Sequence, residues 1–101
     1  MEPDMAYHCR VFHFDFKPGN GEAVRTLARQ AREIMEQQPG FRGVTFFADY
    51  ESGHGGAMSL WDSAEAIQNY IKGSSGLMRV ATAGLFIGAP KSLVAEVLEV
   101  D

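Results

Sequence analysis

Two short junctions constrain the fold of this chain more than any other feature. Residues 39–43 (PGFRG) stop a helical pattern and start a strand, whereas residues 61–66 (WDSAEA) stop a strand and start a second helical pattern. Between them, the glycine-rich segment 52–56 predicts a β-hairpin loop, because such loops use backbone angles that favour glycine. The chain therefore reads strand, helix, hairpin, helix, strand, with its single tryptophan, Trp61, where the third strand meets the second helix.

The first strand is predicted over residues 6–16, which are rich in aromatic and other strand-favouring side chains. Alternate side chains of a strand point to opposite faces of its sheet. One set is His8, Arg10, Phe12, Phe14 and Phe16, and the other is Tyr7, Cys9, Val11, His13 and Asp15. Both sets carry large apolar groups, so we expect this strand to be covered on both faces.

The first helix is predicted over residues 22–37, where apolar residues recur at steps of three and four. Charged residues occupy the opposite side, which is typical of an amphipathic helix packed on a sheet. Asn20 is the expected N-cap, and Pro39 with Gly40 ends the helix.

Three more strands complete the predicted sheet. The hairpin strands are expected over residues 44–51 and 57–62, and the last strand over residues 92–100. The last strand would place Leu98 and Val100 on one face of the sheet.

The second helix is predicted to start directly after Trp61. Asp62 and Glu65 have the spacing of a capping box, so Asp62 is the predicted N-cap. Glycines and serines at residues 73–76 break the helix, and a further helical turn or two is expected near residues 77–81.

The element order βαββαβ predicts a ferredoxin-like α+β fold, a four-stranded antiparallel sheet with helices on one face. Two helices cover only one face of such a sheet. Because the strands carry apolar groups on both faces, the second face needs a cover, and a second copy of the chain is the simplest one. The sequence therefore predicts a homodimer.

Composition limits the classes of partner. The 101 residues suit a single domain, residues 1–101, and 46% of them are hydrophobic. The net charge of −4 leaves no basic stripe to neutralise phosphates, so neither nucleic acid nor a membrane surface is an expected partner.

The cysteine and histidine content argues against a bound metal. Cys9 is the single cysteine, so an internal disulfide and a cysteine-based zinc site are excluded. No two histidines have a metal-ligand spacing, and no phosphate-binding loop is present. We therefore expect no metal, flavin or haem.

The acidic N-terminus lacks the apolar run of a signal peptide, so a cytoplasmic location is expected.

These features together resemble the antibiotic biosynthesis monooxygenase domain family of the dimeric α+β barrel superfamily. The matching segments are Lys17-Pro18-Gly19 before the first helix, and residues 39–43 and 61–66 at the two junctions. The resemblance covers nearly the whole chain. It implies a dimeric α+β barrel that needs no cofactor and acts on a small planar phenolic or quinol compound.

Two functions stay open at this point. The first is a cofactor-independent monooxygenase. A deprotonated quinol itself passes an electron to dioxygen, so the protein need supply only an apolar pocket, a base and orientation. The alternative is a non-catalytic dimeric barrel that binds a small hydrophobic ligand or serves as an interaction module. The haem-degrading branch of the family is disfavoured, because its strand asparagine and helix histidine are missing and only its tryptophan, Trp61, is present.

Three residues are the candidates for a catalytic site. Trp61 either anchors the core or a dimer interface, or stacks on a flat aromatic substrate. Tyr70, on the buried face of the second helix, either packs in the core or faces a pocket. His13 is the predicted general base, because histidine titrates near neutral pH and its same-face neighbours Cys9 and Val11 are small.

The enzyme hypothesis requires His13, Trp61 and Tyr70 to converge on an open cavity. A cavity filled by phenylalanines would favour the non-catalytic alternative instead; the relevant ones are Phe12, Phe14, Phe46 and Phe47. Arg79, after the glycine break, is either a solvated residue or a group that holds an anion at the pocket mouth.

Overall fold

The structure is a computed structural model that describes residues 6–100 of the chain. Seven elements follow one another in sequence: β1 (His8–Phe16), α1 (Gly21–Glu36), β2 (Phe41–Asp49), β3 (His54–Trp61), α2 (Ala64–Gly73), α3 (Ser75–Gly84) and β4 (Phe86–Glu96). No helix in this part of the chain is long and apolar enough to cross a membrane.

The four strands form one antiparallel sheet in the order β2-β3-β1-β4. This order is that of the ferredoxin-like fold, so the predicted fold class is confirmed. The central strands are β3 and β1, and the edge strands are β2 and β4.

The phenylalanine-rich face of β1 packs against the helices. Phe14 and Phe16 form a buried cluster with Val24 and Leu27 of α1 and with Ala81 of α3. Burial of large apolar side chains is the main force that holds helices on a sheet, so the face with the phenylalanines receives them.

A second buried cluster lies where β3 ends. Trp61 packs there with Met35 of α1 and with Ala66, Ile67 and Tyr70 of α2. The apolar sides of α1 and α2 therefore pack on the same face of the sheet.

The other face of the sheet is apolar and exposed. Val11 of β1 pairs with Met58 of β3 on one side and with Leu93 of β4 on the other, so these three side chains lie in one row. Met58 is 54% exposed and Leu93 is 61% exposed. We refer to this surface as the open face.

The last strand starts earlier than predicted. It runs from Phe86 to Glu96, and Leu98 and Val100 lie beyond it, exposed. Gly88 and Pro90 look like strand breakers in the sequence, but an edge strand tolerates proline. The register of β4 against β1 shifts between His13 and Asp15, opposite this part of β4, and Gly88 adopts a φ of +74°.

The N-cap of α2 is Ser63, and the prediction of Asp62 was wrong by one residue. The Ser63 side chain accepts a hydrogen bond from the backbone N–H of Ala66. Asp62 instead forms an exposed ion pair with Arg42. Asn20 occupies the N-cap position of α1, but its side chain makes no capping hydrogen bond.

These two neighbours are expected to differ in their effect on stability. Ser63→Ala should lower the free energy of unfolding by about 1 kcal/mol, because a helix N–H loses its partner. Asp62→Ala should lower it less, since the ion pair that it removes is exposed to solvent. Urea denaturation of both variants checks this. A larger loss for Asp62→Ala would contradict the assignment of the cap.

Candidate functional site

A cavity of about 150 Å³ lies between the sheet and the helices. Its walls come from three strands and all three helices. The side chains that line it include Arg10, Phe12, Phe14, Val24, Leu27, Ala28, Ala31, Met35, Phe46, Ala48, Ala57, Ser59, Tyr70 and Met78, with Arg25 and Tyr50 at the solvent side. An engineered core cavity of similar volume accommodates benzene, so this one has room for a single aromatic ring.

The phenylalanines form walls of this cavity and do not fill it. Phe14 stacks on Phe86 at 4.2 Å between ring centroids, and Phe12 lies 5.9 Å from Phe14. These rings pack against one another along the sheet, and Phe46 of β2 lines the cavity beside them. The cavity is therefore open and is not filled by phenylalanine side chains.

Polar groups gather at one end of the cavity. Arg10 on β1 and Ser59 on β3 are direct cross-strand partners, and the Ser59 hydroxyl donates to the backbone oxygen of Arg10 at 3.5 Å. The guanidinium carbon of Arg10 lies 5.9 Å from the centre of the Tyr70 ring and 4.7 Å from that of Phe12. Arg10, Ser59 and Tyr70 therefore form a polar end, and the remaining lining is largely apolar.

Burial shifts the titration of both ionisable groups in this polar end. Burial lowers the pKa of Arg10, and the nearby Tyr70 opposes that shift weakly. Burial raises the pKa of Tyr70, with Ser74 and Arg10 acting in the opposite direction. The Tyr70 hydroxyl is thus protonated at neutral pH and available as a hydrogen-bond donor.

The rim of the cavity is held by a second arginine–tyrosine pair. Arg25 Nε on α1 donates to the Tyr50 hydroxyl at 3.2 Å. A Cβ at Gly21 would lie 2.6 Å from the Tyr50 ring, so the glycine permits this close approach. Arg79, in contrast, is exposed and does not line the cavity.

Trp61 lies behind the cavity and does not line it. Its side chain is fully buried, and its ring lies 5.4 Å from Tyr70 and 5.2 Å from Phe41. The indole Nε1 has no hydrogen-bond partner. Trp61 therefore contacts the candidate site through Tyr70, as a packing residue in this arrangement.

His13 lies on the open face, on the other side of the sheet from the cavity. Its ring lies 5.2 Å from that of His54, whose Nδ1 is 2.9 Å from the Asp15 carboxylate. The side chains of His13, Trp61 and Tyr70 therefore do not converge on one cavity, and Tyr70 alone lines it. The expectation that small neighbours mark the cavity side of β1 was wrong, because the helices cover the phenylalanine side.

Arg10 lines the candidate site but is not among the residues that the sequence predicts for it. The signal was available: Arg10 shares its strand face with Phe12 and Phe14, which places a cation among large apolar groups.

No three histidine, cysteine, aspartate or glutamate side chains in residues 6–100 are grouped closely enough to hold a metal ion.

The fold and the site define a ferredoxin-like α+β domain with an apolar cavity between sheet and helices, and this cavity has a polar end. The family model for antibiotic biosynthesis monooxygenases matches residues 8–74. The chain belongs to this family. Among curated proteins, none matches it significantly.

Solved structures share the fold along nearly the whole chain. The NE2512 protein of unknown function from Nitrosomonas europaea is 16% identical, with a TM-score of 0.80 over 97% of this chain and 95% of that one. SnoaB, a cofactor-independent oxygenase from Streptomyces nogalater, is 15% identical, with a TM-score of 0.73 over 94% and 96%.

A third similar structure contains a ligand. It is the monooxygenase from the gene ActVA-Orf6 of Streptomyces coelicolor in complex with nanaomycin D, 17% identical, with a TM-score of 0.71 over 99% of this chain and 94% of that one. At identities this low, the likeness of all three shows the fold alone.

Proposed function

We propose that this protein is a cofactor-independent monooxygenase that acts on a small planar phenolic or quinol compound. The observation that carries the proposal is the cavity itself: it is apolar, has room for one aromatic ring, and has a hydrogen-bond donor at one end. Membership in the family, and the oxygenase and monooxygenase named among the similar structures, support the same reaction class.

The reaction class needs only dioxygen and the electron pairs of the substrate. The ionised substrate passes an electron to dioxygen, a ring carbon then forms a bond to oxygen, and a hydroperoxide results. Its O–O bond breaks, one oxygen stays on carbon as a carbonyl, and the other leaves as water with the two hydrogens that the substrate gives up. The substrate is oxidised and dioxygen is reduced, so the balance closes without an external reductant.

The residues of the cavity suit this chemistry. Phe12, Phe14 and Phe46 exclude water from the ring that is oxidised, which strengthens polar interactions inside. The protonated Tyr70 hydroxyl donates a hydrogen bond to the substrate oxygen as negative charge develops there. His13 has no part in this mechanism, because its ring lies on the open face.

The proposal includes a homodimer built through the open face. It is supported by the row of Val11, Met58 and Leu93 across three strands, of which Met58 and Leu93 are more than half exposed. An apolar face of this kind is normally covered by another protein surface. The alternative function, a barrel that only binds a ligand, shares the cavity and the dimer and differs in having no turnover.

A cavity-filling variant tests the proposed site. Ala28, on α1, lines the cavity, and Ala28→Leu should place extra carbons in it while it preserves the helix. We expect dioxygen uptake with methylhydroquinone to fall by about tenfold or more, since the leucine side chain occupies the space that the ring needs. The exposed Ala83 of α3 provides the matched control, and Ala83→Leu should retain full uptake.

An oxygen electrode measures both variants beside the parent protein and a protein-free blank. Equal uptake by Ala28→Leu and the parent would contradict the location of the site. Uptake by the parent no faster than the blank, with chlorohydroquinone and catechol tried as well, would favour the non-catalytic alternative.

A further inference from the structure

We propose that the cavity recognises an aromatic anion, a ring that carries a carboxylate or phenolate oxygen, and that Arg10 pairs with that oxygen. This inference deepens the proposed function and rests on it for the aromatic nature of the ligand. Arg10 is a cation whose position the fold alone does not explain.

Arg10 is a half-buried cation without an internal counter-charge. Its Nε is inaccessible to solvent and has no hydrogen-bond partner. No ion pair joins its guanidinium to a carboxylate within residues 6–100. A buried donor that lacks an acceptor is costly, and a buried charge is normally paired. The missing partner is therefore an anion that binds from outside the chain.

The cavity is locally basic although the protein is acidic. The chain has a net charge of −4, yet neither an aspartate nor a glutamate of the described residues lines the cavity. Its charged lining residues are Arg10 at the inner polar end and Arg25 at the rim. Field lines concentrate in an apolar cleft that carries one sign of charge, so this arrangement attracts an anion.

The geometry at Arg10 selects a flat ligand. The guanidinium lies near two aromatic rings, with its carbon 4.7 Å from the centre of Phe12 and 5.9 Å from that of Tyr70. A guanidinium presents parallel N–H groups that fit a carboxylate side-on, and the terminal amino groups of Arg10 are not among the inaccessible, unpartnered atoms of the described residues. The protonated Tyr70 hydroxyl offers a further donor to the same oxygen.

This recognition also accounts for how the substrate ionises without a histidine in the cavity. A cation close to a phenol favours its charged form, so binding at Arg10 lowers the pKa of the phenol, and the released proton passes to solvent. Arg10 thus acts by stabilising the phenolate and takes up no proton itself. The same contact would hold an aromatic carboxylate, and the experiment separates these two ligand types.

The first probe is 4-nitrophenol, a phenol that ionises near neutral pH and changes its visible absorbance when it does. We expect the parent protein to lower the apparent pKa of bound 4-nitrophenol by about one unit. Arg10→Met should abolish this shift, and Arg10→Lys should retain part of it because the charge remains. Arg79→Met removes an exposed arginine away from the cavity and should leave the shift intact.

The second probe is the pair of benzoate and benzamide, which differ in charge but hardly in shape. Calorimetry of the parent protein should give an affinity at least about tenfold higher for benzoate if the anion is a carboxylate. In Arg10→Met the ratio should fall to about one. Preference for ionised 4-nitrophenol alone assigns the phenolate, and preference for benzoate alone assigns the carboxylate.

Three results would overturn the inference: no binding of any probe at millimolar concentration, no preference for either anion in the parent, or an unchanged preference in Arg10→Met. The comparison in the parent needs no variant, so a misfolded variant leaves the test intact. Arg10-dependent binding without dioxygen uptake would sink the monooxygenase and keep the anion site. Dioxygen uptake with the same KM and pH profile in Arg10→Met would overturn the role of Arg10 and keep the monooxygenase.

Discussion

Trp61→Ala is expected to lower the free energy of unfolding by about 3–5 kcal/mol, the usual cost of truncating a buried tryptophan. The Trp61 side chain is fully buried and packs with Met35, Ile67 and Tyr70 at the join of β3, α1 and α2. Its removal leaves a void that these neighbours cannot close. Since a small domain has only about 5–15 kcal/mol of net stability, the variant should be largely destabilised at 37 °C.

Urea denaturation followed by circular dichroism measures this loss. Val80→Ala is the control for the loss of an apolar side chain, because Val80 is 71% exposed on α3 and lies away from the open face, and it should cost much less. The position of Trp61 in the sequence left open whether its indole stacks on a ligand. A variant that keeps the stability of the parent but loses ligand binding would support that role and contradict the packing role.

Met58→Asp is expected to separate the proposed dimer into single chains, with a rise of about 100-fold or more in the dissociation constant. Met58 lies in the middle of the open face, between β2 and β1, and is 54% exposed in the single chain. A carboxylate at this position would be desolvated in a sheet-to-sheet interface without a partner, at a cost of several kcal/mol.

Sedimentation velocity of the parent should give a species of twice the chain mass, and Met58→Asp should sediment as one chain. Val80→Asp is the matched control, because Val80 is 71% exposed on α3 and lies away from the open face. It should remain dimeric. A parent protein that sediments as a single chain at micromolar concentration would contradict the homodimer.

The fold was predictable because it follows from local signals. The helix pattern before Pro39, the glycines of the hairpin and the WDSAEA junction each fix one element, and only one common topology joins them. Boundaries were less certain where two signals compete. Asp62 and Ser63 are both good N-cap residues, and in the fold Ser63 caps α2 while Asp62 pairs with Arg42 of β2, a contact between residues far apart in sequence.

The site was less predictable because it depends on which face of β1 the helices cover. The small neighbours of His13 predict space beside it, but the cavity in the folded protein lies among the large rings on the other face of β1. The face with three phenylalanines gains most from burial, so it receives the helices and also encloses the cavity. Arg10 follows from the same rule, and its pairing with Tyr70 joins residues far apart in sequence.

The most direct test of the account is the fate of labelled dioxygen. Parent protein is supplied with methylhydroquinone under dioxygen that carries the heavy isotope in both atoms, and the product is analysed by mass spectrometry. A monooxygenase should give a hydroxylated quinone that contains one heavy oxygen, with the other in water. Ala28→Leu should give far less of it than Ala83→Leu. Quinone that carries no heavy oxygen, formed at the same rate with and without protein, would contradict the proposed monooxygenase activity.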